Sequence, residues 1–369
     1  MPKSQSTSNN VLSNFCIYWD NVIKDWLSSP GVNAVDARRY KDLITVSGMV
    51  KECYYKDYNY LSVNIEKEQK IIFNSKGLGN KLYPAHMPEP YHGDPTQCSI
   101  VIVNYNPAGG TDMNPHTYRG NSQLFPSNTI IDYVAKNSYS AFAKSFPIWQ
   151  DTLPKGMEWL CSYAGRRWWL DKKDWVNHLV KSAKLQMTLN GAQVEDNADE
   201  NSVKPRVKSP FVIELCGWHS PNWGDISGAI SAPKLQNVIK THFVEPLLAA
   251  IESSTSKLAV CIGAQFKPAL FTALCNNNFK DITFDVWNKL NSACKTYSKY
   301  PDGHSKIITD SIGVTQQKRT RYYRIYDIQT NGVSHYILNT FAPGGNHHPA
   351  NHFWKFEKEL LKVIYKYFP

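Results

Sequence analysis

The sequence predicts an α/β fold: a three-layer α/β/α domain around a central, mostly parallel sheet. Short apolar runs rich in β-branched residues alternate along the chain with longer, helix-like segments. This alternation is typical of a sheet covered by helices. The clearest run, 100–103 (Ile-Val-Ile-Val), contains no polar residue. Such a run is expected of a strand that is buried on both faces, as in a parallel sheet.

The composition indicates a basic protein that can bury a large core. The chain has 369 residues and a formal net charge of +10. This charge favours an anionic partner, most often nucleic acid, although a basic surface without a specific partner has the same composition. The eight cysteines form no C-x-x-C pair, which predicts a reducing, cytoplasmic setting and no structural zinc. We expect neither a secretion signal nor a membrane span, because no apolar run is long enough.

The N-terminal part, 1–84, is predicted to be a helical or mixed extension of the main domain. Its polar first ten residues are expected to fray. The elements predicted after them are a helix over 11–30, a helix over 34–52, short strands within 54–75 and a Gly- and Pro-rich loop over 76–95.

The remainder, 85–369, is predicted to be the catalytic domain that contains the sheet. Strands are predicted at 100–103, 211–216, 257–263, 321–328 and 334–340. Helices are predicted at 129–144, within 157–188, and at 234–252, 265–275 and 351–367. The segment 190–209 is poor in apolar residues, so we expect a mobile insertion there.

The turn after the first of these strands is the first candidate site. Pro107 restricts Asn106 to extended backbone, and Gly109 and Gly110 allow backbone N–H groups to approach a ligand closely. Ligands of open α/β sheets bind at the carboxyl ends of the strands. The Asn106 amide can hold a water through its donor and its acceptor. An ordinary turn, in which Asn106 bonds its own backbone, has the same sequence.

Glu214 is the second candidate, because it is the one carboxylate in the apolar strand 211–216. A buried carboxylate is costly unless it is partnered, and a dry environment raises its pKa. A neutral carboxyl group donates one hydrogen bond and accepts another, which matches the N3 acceptor and the N4 amino donor of cytosine. The alternatives are a structural ion pair with an arginine and an outward-facing glutamate at a sheet edge.

Histidines and basic residues supply the other candidates. His347 and His348 follow two glycines and are candidates for a general acid or for a cation beside a developing anion. A metal pair of His348 and His352 lacks an accompanying carboxylate, so no metal is predicted, and a polar loop capping the last helix remains an alternative. Basic and aromatic residues interleave at 166–169 and 318–324, which suits DNA phosphates and bases or a solvated face over a Trp-rich core. The DNA-contacting candidates there are Arg166, Arg167, Arg319 and Arg321.

Several motifs, together with their order along the chain, resemble those of the uracil-DNA glycosylase superfamily. The segment 100–109 (Ile-Val-Ile-Val-Asn-Tyr-Asn-Pro-Ala-Gly) resembles its first motif, especially the Asn-Pro-Gly version of the mismatch-specific and single-strand-selective branches. The strand 211–216 resembles the one that carries the base-reading Asn, with Glu214 in that place. Further similarities are a lead-in at 89–95, the next strand and its Gly turn at 258–263, and the strand and loop of the His-Pro-Ser-Pro motif at 336–345. The resemblance covers about 85–369, without 145–209.

The resemblance implies a role for each matching residue. Asn106 would position the water that attacks C1′ of the flipped nucleotide, and Tyr105 or Phe125 would stack on the base. Gly109 and Gly110 would leave room beside the base. The minor-groove loop would be Pro343, Gly344, Gly345 and Asn346. Ala342 stands where many relatives have a catalytic His. The mismatch-specific branch also lacks this His, and in this chain His347 or His348 would compensate.

The resemblance together with Glu214 implies a substrate. A carboxyl group suits a cytosine-type base better than uracil, which points to the phage-defence branch that excises glucosylated hydroxymethylcytosine from viral DNA. The expected protein is a monofunctional, metal-independent DNA glycosylase without a cofactor, acting as a monomer on double-stranded DNA with a modified base. The alternatives are a uracil or mismatch repair glycosylase, a non-catalytic module that reads modified or damaged DNA, and another enzyme that acts on nucleotides.

Overall fold

A computed structural model describes most of the predicted sheet and its helices. The described residues are 3–28, 71–72, 87–104, 130–145, 173–191, 210–218, 233–262, 279–293, 311–316, 319–330, 332–341 and 353–368. The helices predicted at 34–52 and 265–275 lie outside them, as does the predicted insertion beyond residue 191. Residues 71–72, within the segment predicted to hold short strands, are helical.

Eight strands of the described chain form one sheet. They are β1 (Tyr91–His92), β2 (Val101–Asn104), β3 (Phe211–Glu214), β4 (Leu258–Ile262), β5 (Phe279–Asp281), β6 (Ile312–Gln316), β7 (Arg319–Thr330) and β8 (Val333–Phe341). The strand order is β1-β3-β2-β4-β8-β7-β5, and β6 pairs with β7. The five strands that the sequence predicts are confirmed as β2, β3, β4, β7 and β8.

The sheet is mixed, with parallel strands at its centre. β4 pairs in parallel with both β2 and β8. The Phe211 N–H donates to the Ile100 carbonyl, and the Leu215 N–H donates to the Asn104 carbonyl. Both chains advance in the same direction between these two bonds, so β3 runs parallel to β2. The pairs β1–β3, β7–β8, β6–β7 and β5–β7 are antiparallel, and the predicted mostly parallel sheet is therefore correct only for its centre.

The hairpin of β7 and β8 explains the antiparallel part. Thr330 and Val333 are paired at the end of the hairpin, and Gly332, just before Val333, has φ of 77°. Glycine adopts this backbone without steric cost, and Asn-Gly is a strong hairpin signal. The sheet therefore turns back at this point, where the alternation pattern suggested only another strand.

Apart from the helical residues 71–72, eight helices lie in the described chain. They are α1 (Lys3–Leu27), α2 (Ile130–Lys136), α3 (Tyr139–Ser145), α4 (Lys173–Gly191), α5 (Pro233–Ile239), α6 (Glu245–Ser253), α7 (Thr283–Ala293) and α8 (Trp354–Tyr367), with a π-helical segment, Lys240–Val244, between α5 and α6. None of the helices described is long and apolar enough to cross a bilayer. The helix predicted at 129–144 is two helices, because the Ser138 hydroxyl accepts the Ala141 N–H and caps the start of α3.

The chain divides into two compact units. The first comprises Met1–Asp94, Asn104–Leu170 and Val212–Leu247. Its helix α1 begins at Lys3, so the expectation that the first ten residues fray is wrong. The Asp20 carboxylate accepts hydrogen bonds of 2.7 Å from both the backbone N–H and the hydroxyl of Ser140 on α3. The first unit therefore contains residues from both sides of the predicted boundary at 84.

The second unit comprises Pro95–Val103, Asp171–Phe211 and Leu248–Pro369. A fully buried carboxylate, Glu357 on α8, lies in its core. Glu357 accepts hydrogen bonds from Trp175 Nε1 at 2.6 Å and from the Tyr323 hydroxyl at 2.9 Å. Arg321 Nε lies 3.9 Å from Glu357 Oε1. These partners from α4 and β7 compensate the cost of burying the carboxylate and fix α8 to the unit.

Candidate functional site

The ends of β2 and β3 bring Asn104 and Glu214 together within the first unit. The Leu215 N–H donates to the Asn104 carbonyl at 2.9 Å, which holds the two strand ends side by side. The side chains meet there as well, because Asn104 Nδ2 donates to Glu214 Oε1 at 3.0 Å. β3 lies between β1 and β2 in the strand order, so Glu214 is not at a sheet edge.

Glu214 is a buried carboxyl group whose two oxygens differ in their surroundings. Its exposed fraction is 7%. The pKa of Glu214 is raised to about 8, mainly by burial; the hydrogen bond from Asn104 opposes the shift, and the Glu89 carboxylate adds to it. Among the described residues, Oε2 has no hydrogen-bond partner. Because Oε1 accepts the amide N–H, the proton of the neutral form belongs on Oε2, which becomes a donor.

This environment confirms the expectation that a dry setting raises the pKa of Glu214. It contradicts the alternative of an outward-facing residue, since the side chain is buried. The partner that the structure describes for Glu214 is a neutral amide and not an arginine. A neutral amide cannot offset the charge of a buried carboxylate as an arginine would, so the protonated form is favoured.

A second carboxylate, Glu89 on the lead-in to β1, lies near Glu214 and pairs with a histidine of that strand, His92. Glu89 and His92 are 4% and 5% exposed, and Glu89 Oε2 lies 3.3 Å from His92 Nε2. The Glu214 N–H donates to the Pro90 carbonyl at 2.9 Å, and the Glu89 N–H donates to the Gly217 carbonyl at 2.8 Å. The lead-in is thus hydrogen-bonded both to the last residue of β3 and to the chain just after it.

Helix α1 packs against the chain that leaves β3. Trp19 is 4% exposed. A Cβ atom added to Gly217 would lie 2.9 Å from Trp19 Cη2 and 3.0 Å from Pro90 Cβ. Glycine is therefore required where α1 and the lead-in approach the chain that leaves β3.

Sequence reasoning assigned no role to Asn104, Glu89, His92 or Trp19. Asn104 and the Glu-Pro-Tyr-His lead-in belong to segments that resemble the family's motifs. This resemblance is the sequence signal that could have found them. Trp19 belongs to a helical apolar stripe and carries no such signal. Its place beside Gly217 follows only from the packing of α1.

Of the basic DNA-binding candidates, Arg321 is placed in the interior of the second unit. It is 2% exposed, it donates to the Thr340 hydroxyl through Nε, and it pairs with Glu357. A guanidinium group that is buried and paired is not available to a phosphate, so Arg321 is corrected from a DNA contact to a core residue. Arg319 begins β7 opposite Gln316.

The remaining candidates lie outside the described residues. They are Asn106, Tyr105, Gly109, Gly110, Phe125, Arg166, Arg167, Pro343, Gly344, Gly345, Asn346, His347 and His348. In the part of the chain that is described, no three His, Cys, Asp or Glu side chains are grouped to hold a metal ion. The four cysteines described there, Cys16, Cys98, Cys216 and Cys261, are buried and form no disulfide.

Comparison with known proteins adds no relative. No protein-family model, curated protein or solved structure matches this chain. The chemistry of Glu214 and its neighbours, together with the motif resemblance, is therefore the basis for a functional conclusion.

Proposed function

We propose that this protein is a monofunctional DNA glycosylase that hydrolyses the N-glycosidic bond of a flipped, modified cytosine and leaves an abasic site. One observation carries the proposal: a buried Glu214 whose Oε1 is held by Asn104 and whose Oε2 has no partner among the described residues. Glu214 also stands at the strand position where the resemblance implies the base-reading residue.

The hydrogen-bond pattern at Glu214 favours cytosine. In the neutral carboxyl group, Oε2–H donates to the N3 acceptor of the base, and Oε1 accepts from the N4 amino group with its second lone pair. Uracil presents the opposite pattern, with a donor at N3 and an acceptor at O4. Because Asn104 donates to Oε1, Oε1 stays an acceptor and the proton lies on Oε2. This assignment matches the edge of cytosine and not that of uracil.

The rest of the chemistry follows the resemblance. Asn106 would position the attacking water, and the site would stabilise the developing cationic sugar electrostatically. The net charge of +10 suits a DNA backbone. Glucosylated hydroxymethylcytosine is the proposed substrate, with Gly109 and Gly110 leaving room for the sugar on C5.

The test is excision from duplex DNAs that differ in one base. The purified protein is incubated without added metal with duplexes carrying uracil, a thymine mismatch, cytosine, hydroxymethylcytosine or glucosylated hydroxymethylcytosine. Hot alkali then reveals abasic sites. We expect cleavage confined to a modified cytosine, and loss of that cleavage in Asn106→Ala.

Other outcomes would overturn the proposal in distinguishable ways. Cleavage of uracil alone would retain a glycosylase but contradict the role of Glu214 in choosing the base. Tight DNA binding without any abasic site would indicate a module that reads DNA without cleaving it. A preference for free nucleosides would indicate a different enzyme that acts on nucleotides.

A further inference from the structure

We propose that Glu214 is also the general acid of the reaction, and that its Oε2–H passes to N3 of the cytosine as the bond between C1′ and N1 breaks. This inference rests on the proposed glycosylase function. It assigns to Glu214 a catalytic role besides base recognition, and it assigns to Glu89 and His92 the role of positioning residues.

The leaving group creates the need for an acid. Cytosine is a poor leaving group when it must depart as an anion, whereas a cytosine protonated at N3 departs as a neutral base. General acid catalysis by a positioned side chain contributes about 10²- to 10⁴-fold to a rate. The acid must hold its proton at the working pH and must lie within hydrogen-bond reach of N3.

Glu214 meets the geometric requirement through the asymmetry of its two oxygens. Oε1 accepts the Asn104 amide at 3.0 Å, and Oε2 is buried without a partner among the described residues. The proton therefore resides on the oxygen that is left for the base. Since Glu214 is only 7% exposed, water competes little for that proton.

The groups around Glu214 keep it protonated. From the lead-in to β1, the Glu89 carboxylate raises its pKa, and two neighbouring carboxyl groups resist being ionised together. His92, at 3.3 Å from Glu89, holds that second carboxylate in place. From α3, Tyr139 has a pKa well above its usual value because it is buried, and burial raises the pKa of Cys216 to about 12. Both are therefore neutral neighbours, and β2 contributes the neutral Asn104.

The step balances without a co-reactant. The proton moves from Glu214 Oε2 to N3, the electron pair of the broken bond stays on N1, and the base leaves as a neutral tautomer of cytosine. Water then forms the new bond to C1′, and the proton it loses returns to the Glu214 carboxylate. The site is restored after one turnover.

Glu214→Gln separates recognition from acid catalysis. The glutamine amide donates to N3 and accepts from the N4 amino group, but it has no proton to give. We expect its single-turnover excision rate to fall by about 10²- to 10⁴-fold. Its affinity for a duplex carrying the uncleavable 2′-fluoro analogue of the substrate should stay within about threefold of the wild-type value, which also shows that the variant is folded.

The pH profile tests the positioning pair and does not depend on Glu214→Gln. In the wild-type protein, the single-turnover rate should fall as the pH rises through about 8, because the acid loses its proton there. Glu89→Gln removes the neighbouring negative charge, so this fall should move to lower pH, and the rate should drop more at high pH than at low pH. Glu359→Gln on α8, a partly exposed glutamate bound to Lys362, is the matched control and should leave the profile unmoved.

The possible failures are distinguishable. Excision by Glu214→Gln at the wild-type rate would refute the acid role and leave the glycosylase function intact. A profile that Glu89→Gln does not move would refute the positioning role. Absence of excision by the wild-type protein on every base would refute the proposed function itself.

Discussion

Glu214 should make the protein less stable as the pH rises, whatever its function. In the unfolded chain its pKa is near the usual value of 4.5, and in the folded protein burial raises the pKa to about 8. Between these values the folded state holds a proton that the unfolded state has lost, so the free energy of unfolding falls with increasing pH. At about 1.4 kcal/mol per pKa unit, the full loss is at most roughly 5 kcal/mol.

Glu214→Gln should remove this dependence, because the amide has nearly the same shape and does not ionise. We expect equal stabilities of variant and wild type near pH 4.5, and a variant that is more stable by several kcal/mol above pH 8. Urea unfolding at a series of pH values measures the difference. A difference that stays constant from pH 4.5 to 9 would show that Glu214 does not titrate in this way.

Glu357→Gln is the contrasting variant, since Glu357 is also buried but is bound by two donors and paired with Arg321. Removing its charge leaves a buried guanidinium uncompensated, so we expect destabilisation by about 3–5 kcal/mol. Urea unfolding in the same buffers provides the measurement. A variant as stable as the wild type would show that the charge of Glu357 does not stabilise Arg321.

Two further substitutions test how α1 is attached. Gly217→Ala should destabilise the protein by about 1–3 kcal/mol in thermal or urea unfolding, because the new methyl group would meet Trp19 at 2.9 Å; an unchanged midpoint would show that the helix yields without cost. Asp20→Asn should weaken both bonds to Ser140 and speed proteolysis within α1, with a loss of about 1–3 kcal/mol, since bonds to a charged group are the stronger ones. Resistance to protease equal to that of the wild type would count against this anchor.

Strands were the part of the fold that the sequence predicted best. Runs such as 100–103 and 258–262 are apolar on both faces, and only a doubly covered sheet buries both faces of a strand. The short strand Tyr91–His92 and the polar strand Phe279–Asp281 carry no such pattern, because partners distant in sequence determine their pairing. The Asn-Gly signal at 331–332 was present and would have predicted the hairpin.

The candidate site was predicted in part. Glu214 stands out locally, since a carboxylate in an apolar strand needs an explanation. The hydrogen bond from Asn104 depends on strand order and register, which one sequence does not reveal. Arg321 was misassigned because an arginine among tyrosines gives the same sequence pattern in a core strand as in a surface strand. Its partner Glu357 lies 36 residues further along the chain, so the ion pair has no local signature.

The site is assembled from chain segments that are far apart in sequence. Trp19 comes from the first helix, Glu89 and Asn104 come from the end of the first third of the chain, and Glu214 and Gly217 come more than a hundred residues later. Contacts of such long range require the closure of long loops, which costs entropy and slows folding. During synthesis, a chain on the ribosome therefore cannot assemble these contacts until residue 217 has emerged. Under the proposed function, fragments that end before residue 217 should excise no base.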